Sequence, residues 1–204
     1  MTKVLEQELK LLIDKSGYER ILNSSEIIRG PIIQNNYYFD TYGRCLVKQG
    51  MTLRIRQENE KWLLCLKVKN KDSSQLNKFV SSIEIEKEIS ENSFIECKNQ
   101  PSRILSLLPY EAEELLGSKI NELEYLGFLR NERYSLISIS LKEYLFDLDR
   151  SFFSIGLESF ELEFEGIKTN KQTEDILNFL TDIGLEYKLN KKSKYKRFLD
   201  SLNF

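Results

Sequence analysis

The chain has 204 residues, with 30 basic and 32 acidic side chains, a net charge of -2 and no histidine. That length accommodates one large domain with a sizeable buried core, and the balanced charge provides no global field to hold nucleic acid or a membrane surface. The lack of histidine removes the Ser-His-Asp triad, the Cys-His dyad, histidine zinc sites and the commonest general base, so any chemistry falls to carboxylates, Lys, Arg, Tyr or Cys.

The N-terminus MTKVLEQELK lacks an uninterrupted apolar stretch, and no apolar run reaches the length of a membrane span, which predicts an unexported chain. A first strand over residues 3–13 contains EQELK, where Glu6, Glu8 and Lys10 alternate with Gln7 and Leu9. Two carboxylates and an ammonium therefore share one face, successive members about 6.6 Å apart. Asp14 can cap a helix to about residue 23, with Tyr18, Ile21 and Leu22 on its apolar side. Residues 26–42 read as extended and broken at Gly30-Pro31, and Gly43 and Gly50 bracket a turn segment. Strands over 51–57 and 61–70 form a hairpin, Arg54 and Arg56 flanking Ile55 in one, Lys67 and Lys69 flanking Val68 in the other.

Residues 69–78 are polar and read as a mobile loop. A strand over 80–89 alternates Glu84, Glu86 and Glu88 with Ile85 and Lys87. From 90 to about 123 the spacing is helical, with Pro101 and Pro109 opening segments and Gly117 closing one. Strands return over 126–139, 141–149 and 157–167, the SFFSIG turn separating the last two. The third of these carries Glu161, Glu163 and Glu165 around Leu162 and Phe164. An amphipathic helix over 171–183 ends at Gly184, and a short basic tail containing Lys191, Lys192, Lys194, Lys196 and Arg197 follows. Cys45, Cys65 and Cys97 fit no zinc or redox spacing and read as reduced packing thiols of a cytoplasmic protein.

A half-buried strand ordinarily turns its polar row to water. Here acidic and basic rows recur on separate strands whose other faces are apolar. A mainly β (α+β) fold accounts for both: a closed antiparallel barrel of about eight strands over residues 1–204, its charged rows inward and helices packed outside. Uncompensated buried charge costs several kcal/mol, so such an interior requires water, metal ions and an anion.

EQELK resembles the N-terminal ExExK signature of the CYTH superfamily, the triphosphate tunnel metalloenzymes. The resemblance continues in order through YYFDT (37–41), LRIR (53–56), LKVK (66–69), IEIEKEI (83–89), ELEFE (161–165) and KSKYKRF (192–198). It implies a tunnel in which Lys10, Arg54, Arg56, Lys67, Lys69, Arg133 and Lys194 bind phosphate, Arg through a planar fork and Lys as a mobile point charge. Arg130 competes with Arg133, and the SKY match favours Lys194 among its neighbouring lysines. Glu6, Glu8, Glu84, Glu86, Asp149, Glu161 and Glu163 would hold Mg²⁺ or Mn²⁺, with Asp147 ranked behind Asp149. Glu6, Glu8, Lys10, Glu161 and Glu163 form the expected catalytic set. The implied activity is metal-dependent hydrolysis of tripolyphosphate, thiamine triphosphate or a nucleoside triphosphate. Adenylyl cyclisation and non-catalytic polyphosphate or nucleotide binding are the alternatives. Many relatives carry a basic residue just before the IEIE-like strand, where this chain has Ser81 and Ser82.

Overall fold

Asp14, just after the first strand, shows how local chemistry sets an element boundary: its Oδ1 accepts a hydrogen bond from Gly17 N at 2.6 Å and caps α1 (Lys15–Ser24). The computed structural model describes residues 2–70, 78–116, 122–138, 144–153 and 156–202. Before α1 runs β1 (Thr2–Ile13), and after it come β2 (Ser25–Thr41), α2 (Cys45–Lys48), β3 (Met51–Glu58), β4 (Lys61–Lys69) and β5 (Val80–Ile89). Three short helices follow, α3 (Glu91–Asn99), α4 (Arg103–Leu107) and α5 (Tyr110–Leu116), then β6 (Leu123–Ser138), β7 (Leu145–Phe152) and β8 (Glu158–Glu165). The chain continues through α6 (Asn170–Asp182), β9 (Lys188–Leu189) and α7 (Lys194–Leu202).

The strands pair in the order β5-β4-β3-β2-β6-β7-β8-β1-β9, and β5 also pairs with β1. The first eight strands thus form a closed antiparallel barrel, which leaves no free edge among them, and β9 lies outside it on β1. The β3–β4 hairpin turns at Asn59-Glu60, with Glu58 opposite Lys61 and Asn59 at φ 56°, a conformation that asparagine tolerates better than most residues.

Two compact units share these strands. The first comprises Met1–Leu5, Gln34–Lys69 and Ser82–Leu129. Its core joins Phe39, Leu53, Ile55, Trp62, Leu64, Leu66 and Ile85 of the strands to Phe94, Cys97, Ile104 and Ala112 of α3, α4 and α5. Trp62 stacks on Phe94 at 4.2 Å between ring centroids. The second unit comprises Glu6–Ile33, Asn70–Ser81 and Arg130–Phe204. Here Leu9, Leu11, Leu136, Phe146, Leu148, Leu162 and Phe164 pack with Tyr18 and Ile21 of α1 and Ile176, Leu177 and Leu180 of α6. Each such side chain contributes about 1.5–3 kcal/mol on burial. In both units the helices cover the apolar face of the strands, and the charged residues occupy the opposite face.

Several elements differ from the expectation. β2 continues through Gly30-Pro31 without a break: Gly30 has φ 126°, and a Cβ there would come within 2.7 Å of Arg133 O, so only glycine fits. The segment between Gly43 and Gly50 holds a helical turn because Asp40 and Thr41 cap it. The Asp40 carboxylate accepts from Leu46 N at 2.9 Å and Val47 N at 3.2 Å, and Thr41 Oγ1 accepts from Cys45 N at 2.9 Å. β7 (Leu145–Phe152) runs three residues beyond the expected end. The basic tail is a helix, since Tyr195, Phe198 and Leu199 form an i, i+3, i+4 apolar stripe that is buried. The expected mobile loop lies for the most part outside the described residues, as do Gly117, the expected start of the 141–149 strand and part of SFFSIG. Among the described residues no helix is long and apolar enough to cross a membrane.

Candidate functional site

In the second unit, strand register gathers the charges. Across the β6–β7–β8–β1 ladder Arg133 stands opposite Asp149 and Asp149 opposite Glu161, while Asp147 stands opposite Glu163 and Glu163 opposite Lys10. Because side chains alternate between faces, these rows lie side by side on one surface. Asp149 and Glu161 are 0% and 1% exposed.

Arg133 grips this surface from β6. Its Nε donates to Asp149 Oδ1 at 2.8 Å, its Nη2 to Asp149 Oδ2 at 2.6 Å and also to Glu163 Oε2, and its Nη1 lies 2.7 Å from Asp147 Oδ2. Asn131 adds a donor to Asp149 Oδ1 at 2.9 Å, and Ser135 Oγ donates to Asp147 at 2.7 Å. From α7, the Lys194 ammonium lies 2.6 Å from Glu163 Oε1, 2.7 Å from Asp149 Oδ2 and 2.8 Å from Glu161 Oε2. Arg197, one turn on, donates to Glu161 Oε2 at 2.7 Å and to Ser159 Oγ at 2.6 Å, and Asn190 Nδ2 donates to Glu161 Oε1. On β1, Lys10 pairs with Glu8 at 3.0 Å.

Burial alone would make these carboxyls harder to ionise. For Asp149 the Arg133 and Lys194 charges outweigh burial and hold it below the usual range, and Lys194, Arg133 and Lys10 do so more strongly for Glu163. Asp147 goes the other way: burial wins over Arg133 and raises it. Burial also disfavours the charged forms of Arg133 and Lys194, yet their acidic neighbours more than compensate and raise both.

Asp149, Glu161 and Glu163 each offer an oxygen within 4.8 Å of the others. Two oxygens on one Mg²⁺ at about 2.1 Å lie at most about 4.2 Å apart, so the triplet must draw together to share an ion. An all-carboxylate donor set fits the hard ions Mg²⁺ and Mn²⁺.

The first unit's polar face is different in kind. Arg54 stands opposite Cys65, and Cys65 opposite Glu86; Lys67 stands opposite Glu84. Arg54 Nη2 donates to Glu84 Oε1 at 2.8 Å, and Lys67 lies 4.0 Å from Glu84 Oε2. Arg56 Nε donates to Asn36 Oδ1 at 3.1 Å, and the Cys65 thiol to Glu86 Oε1 at 3.2 Å. Burial pushes the thiol up to about 12 despite Arg54 and Arg56. Cys65, Glu84 and Glu86 also bring ligand atoms within 4.8 Å of one another, but the protonated, soft thiol suits a hard cation less well than the all-carboxylate triplet does. Among the described residues three side-chain atoms are buried without a hydrogen-bond partner, Arg54 Nε and Ser82 Oγ in this unit and Arg197 Nε in the other. Unspent donors beside cationic side chains suit an anion.

Most of the expected residues therefore lie on the two charged faces: Glu8, Lys10, Arg133, Asp149, Glu161, Glu163 and Lys194 in one unit, Arg54, Arg56, Lys67, Glu84 and Glu86 in the other. Glu6 is half-buried, and Lys69 is exposed at the end of β4. Arg130 is also exposed and pairs with Glu132, while Lys192 and Lys196 reach Asp200 on the exposed side of α7. Asn131, Asn190, Arg197 and Cys65 were not anticipated as part of these faces. Asn131 shares the parity of Arg133 and was legible in principle. Arg197 stands three residues after Lys194, a relation that emerges only once the tail is recognised as helical.

The CYTH domain family matches residues 5–199. The chain belongs to the CYTH family. HpAC1 from Hippeastrum, assigned as an adenylyl cyclase and described as having a dominant triphosphatase activity, is 26% identical over 96% of this chain and 95% of its own, with a TM-score of 0.77. A Bacillus halodurans protein carrying an adenylate cyclase assignment is 25% identical over 97% of this chain and 99% of its own, with a TM-score of 0.75. PH1819 from Pyrococcus horikoshii shares the fold at 19% identity, with 96% and 98% covered and a TM-score of 0.63. The search of curated proteins found no match. The expected closed barrel of eight antiparallel strands with helices is borne out by the strand order and its closing β5–β1 pairing.

Proposed function

We propose that this CYTH protein is a metal-dependent triphosphatase that cleaves the terminal phosphoanhydride of tripolyphosphate, thiamine triphosphate or a nucleoside triphosphate. The observation that carries the proposal is the triplet of Asp149, Glu161 and Glu163, with ligand oxygens within 4.8 Å, on a face interleaved with Arg133, Lys194 and Lys10. HpAC1's described triphosphatase activity supports hydrolysis over the alternatives.

Asp149, Glu161 and Glu163 would hold Mg²⁺ or Mn²⁺, with Glu8 and Glu6 as further carboxylates on β1. The bound ion supplies Lewis acidity, neutralising phosphate oxygens and acidifying water. Arg54, Arg56, Lys67 and Lys10 bind the phosphate chain and stabilise charge on the transferring and leaving groups, with Arg54 Nε an available donor. Arg133 holds Asp149 and Glu163 ionised and oriented. Water attacks the terminal phosphorus in line as the bridging P–O bond breaks, so that the diphosphate portion leaves and the terminal phosphoryl group is released as orthophosphate. A cytoplasmic location goes with this reading, since the three cysteines are free thiols.

The product separates the alternatives. With Mg²⁺ or Mn²⁺ the protein releases orthophosphate from tripolyphosphate or an organic triphosphate, and chelation stops it. Cyclic AMP and pyrophosphate as the main products from ATP would replace hydrolysis by cyclisation, and tight binding without turnover would make the protein a binding module.

A further inference from the structure

The Lys194 ammonium has three protons to donate. In this structure it lies within 2.8 Å of three acceptors, Glu163 Oε1, Asp149 Oδ2 and Glu161 Oε2. Those residues are the same three whose oxygens come together as a candidate cation site. Their remaining oxygens are also engaged: Glu163 Oε2 by Arg133, Asp149 Oδ1 by Asn131 and Arg133, and Glu161 Oε1 by Asn190. A lysine so placed has no donor left for phosphate, and a divalent cation has no place on those oxygens while the ammonium remains.

We propose that Lys194 is a built-in counter-cation that holds the acidic triplet in the metal-free protein and transfers to the phosphate chain when metal and triphosphate enter together. This rests on the metal-dependent reading above. Two cations on one set of carboxylates repel at short range in a medium of low effective dielectric. Metal alone must therefore expel Lys194 from three acceptors and leave its ammonium without partners on a surface where it is only 12% exposed. A metal–triphosphate complex removes that cost, because the phosphate oxygens replace the carboxylates as acceptors. The displaced group sits on α7, whose docking keeps Arg197 on Glu161 and buries Tyr195 and Phe198. The helix thus couples metal entry to substrate entry.

The consequence is a pair of opposite effects from one substitution. Lys194→Met keeps the apolar stem and removes the charge. Electron paramagnetic resonance titration should show Mn²⁺ alone binding roughly tenfold tighter to the variant than to the wild type, whereas calorimetry should show Mn²⁺–imidotriphosphate, a non-hydrolysable complex, binding roughly tenfold more weakly. Lys192→Met, which alters only the exposed pair with Asp200, should change neither. Wild-type protein supplies a reading independent of any variant: Mn²⁺ alone speeds amide exchange over Lys194–Leu202, and Mn²⁺–imidotriphosphate slows it below the metal-free rate. Unchanged or weaker Mn²⁺ binding by Lys194→Met overturns the proposal, as does α7 exchange that responds to neither addition. If the wild type hydrolyses tripolyphosphate with Mn²⁺ and these effects are absent, this inference alone fails. If it binds neither Mn²⁺ nor the complex, the metal-dependent reading fails with it.

Discussion

The two charged faces come from the same sequence device, alternation of ionisable and apolar residues along a strand, yet they end in different electrostatic states. In the second unit every oxygen of Asp149, Glu161 and Glu163 accepts from a protein donor, and Arg133, Lys194 and Arg197 balance the acids. Among the described residues the first unit has two buried donors without a partner, Arg54 Nε and Ser82 Oγ, and the second has one, Arg197 Nε, on a guanidinium whose other nitrogens are held by Glu161 and Ser159. A saturated acidic cluster is stable without ligand, and on the reading proposed above it exchanges internal cations for metal. A face with unspent donors is preorganised for an anion. Parity decides which face a charge occupies; cross-strand neighbours decide whether it is already satisfied.

Arg133 offers the strongest way to break this contrast. It is the shared partner of Asp147, Asp149 and Glu163, so Arg133→Met leaves buried carboxylates undercompensated and should cost about 3–5 kcal/mol in urea denaturation without metal. Added Mg²⁺ should recover part of that loss. Arg54→Met in the other unit should cost less, about 1–2 kcal/mol, because Glu84 keeps Lys67 nearby. Equal losses from the two substitutions would mean that the faces do not differ in saturation.

A second, smaller effect sharpens the division of labour. Arg54→Ala should weaken Mn²⁺–imidotriphosphate binding by about 10- to 100-fold, about 1.4–2.8 kcal/mol, while leaving Mn²⁺ binding in the absence of phosphate unchanged. Isothermal calorimetry on the two titrants reads both quantities. A parallel fall in affinity for Mn²⁺ alone would move Arg54 from the anion side of the comparison to the metal side.

The barrel was legible because its strands repeat a period of two with unusual regularity. Glu6-Glu8-Lys10, Arg54-Arg56 and Glu161-Glu163 each fix a face without knowledge of any partner strand. Register was not legible. That Arg133 meets Asp149, or that Arg54 meets Cys65 in place of a second cation, follows from strand pairing, which the local pattern leaves open. The role of the C-terminal segment was hidden for another reason. Its lysines and arginine read as a short basic tail with Lys194 singled out only by the resemblance, but the stripe of Tyr195, Phe198 and Leu199 supplies enough apolar area to dock a helix and carry Lys194 and Arg197 to the acids. Ser81 and Ser82, noted as a departure from the family pattern, are buried at 5% and 2% exposure. The missing cation there is replaced by small groups, one of them an unpartnered hydroxyl.

The smallest expected effect distinguishes the two apolar cores and follows from proton linkage. Cys97, at 0% exposure in α3, has its thiol pushed from 9.0 to about 11 by burial, with Glu96 adding to burial and Arg103 opposing it. In the other core, burial raises the Tyr18 phenol from 10.0 to about 12. A raised folded-state value means that the fold favours the protonated form, so the contribution is complete below the unfolded value and is lost as pH rises toward the folded one. The Cys97 core should therefore begin to weaken above about pH 9 and the Tyr18 core only above about pH 10. Between about pH 9 and pH 10.5 wild-type protein should lose about 1–2 kcal/mol more stability than Cys97→Ala, since a tenfold difference in proton affinity between folded and unfolded chain is worth about 1.4 kcal/mol. Cys65 titrates in both proteins and cancels from the difference. Urea midpoints across that range test the sign: a wild-type curve parallel to that of Cys97→Ala would show that the fold does not hold this thiol protonated, and an earlier onset of amide exchange in α1 than in α3 would reverse the order assigned to the two cores.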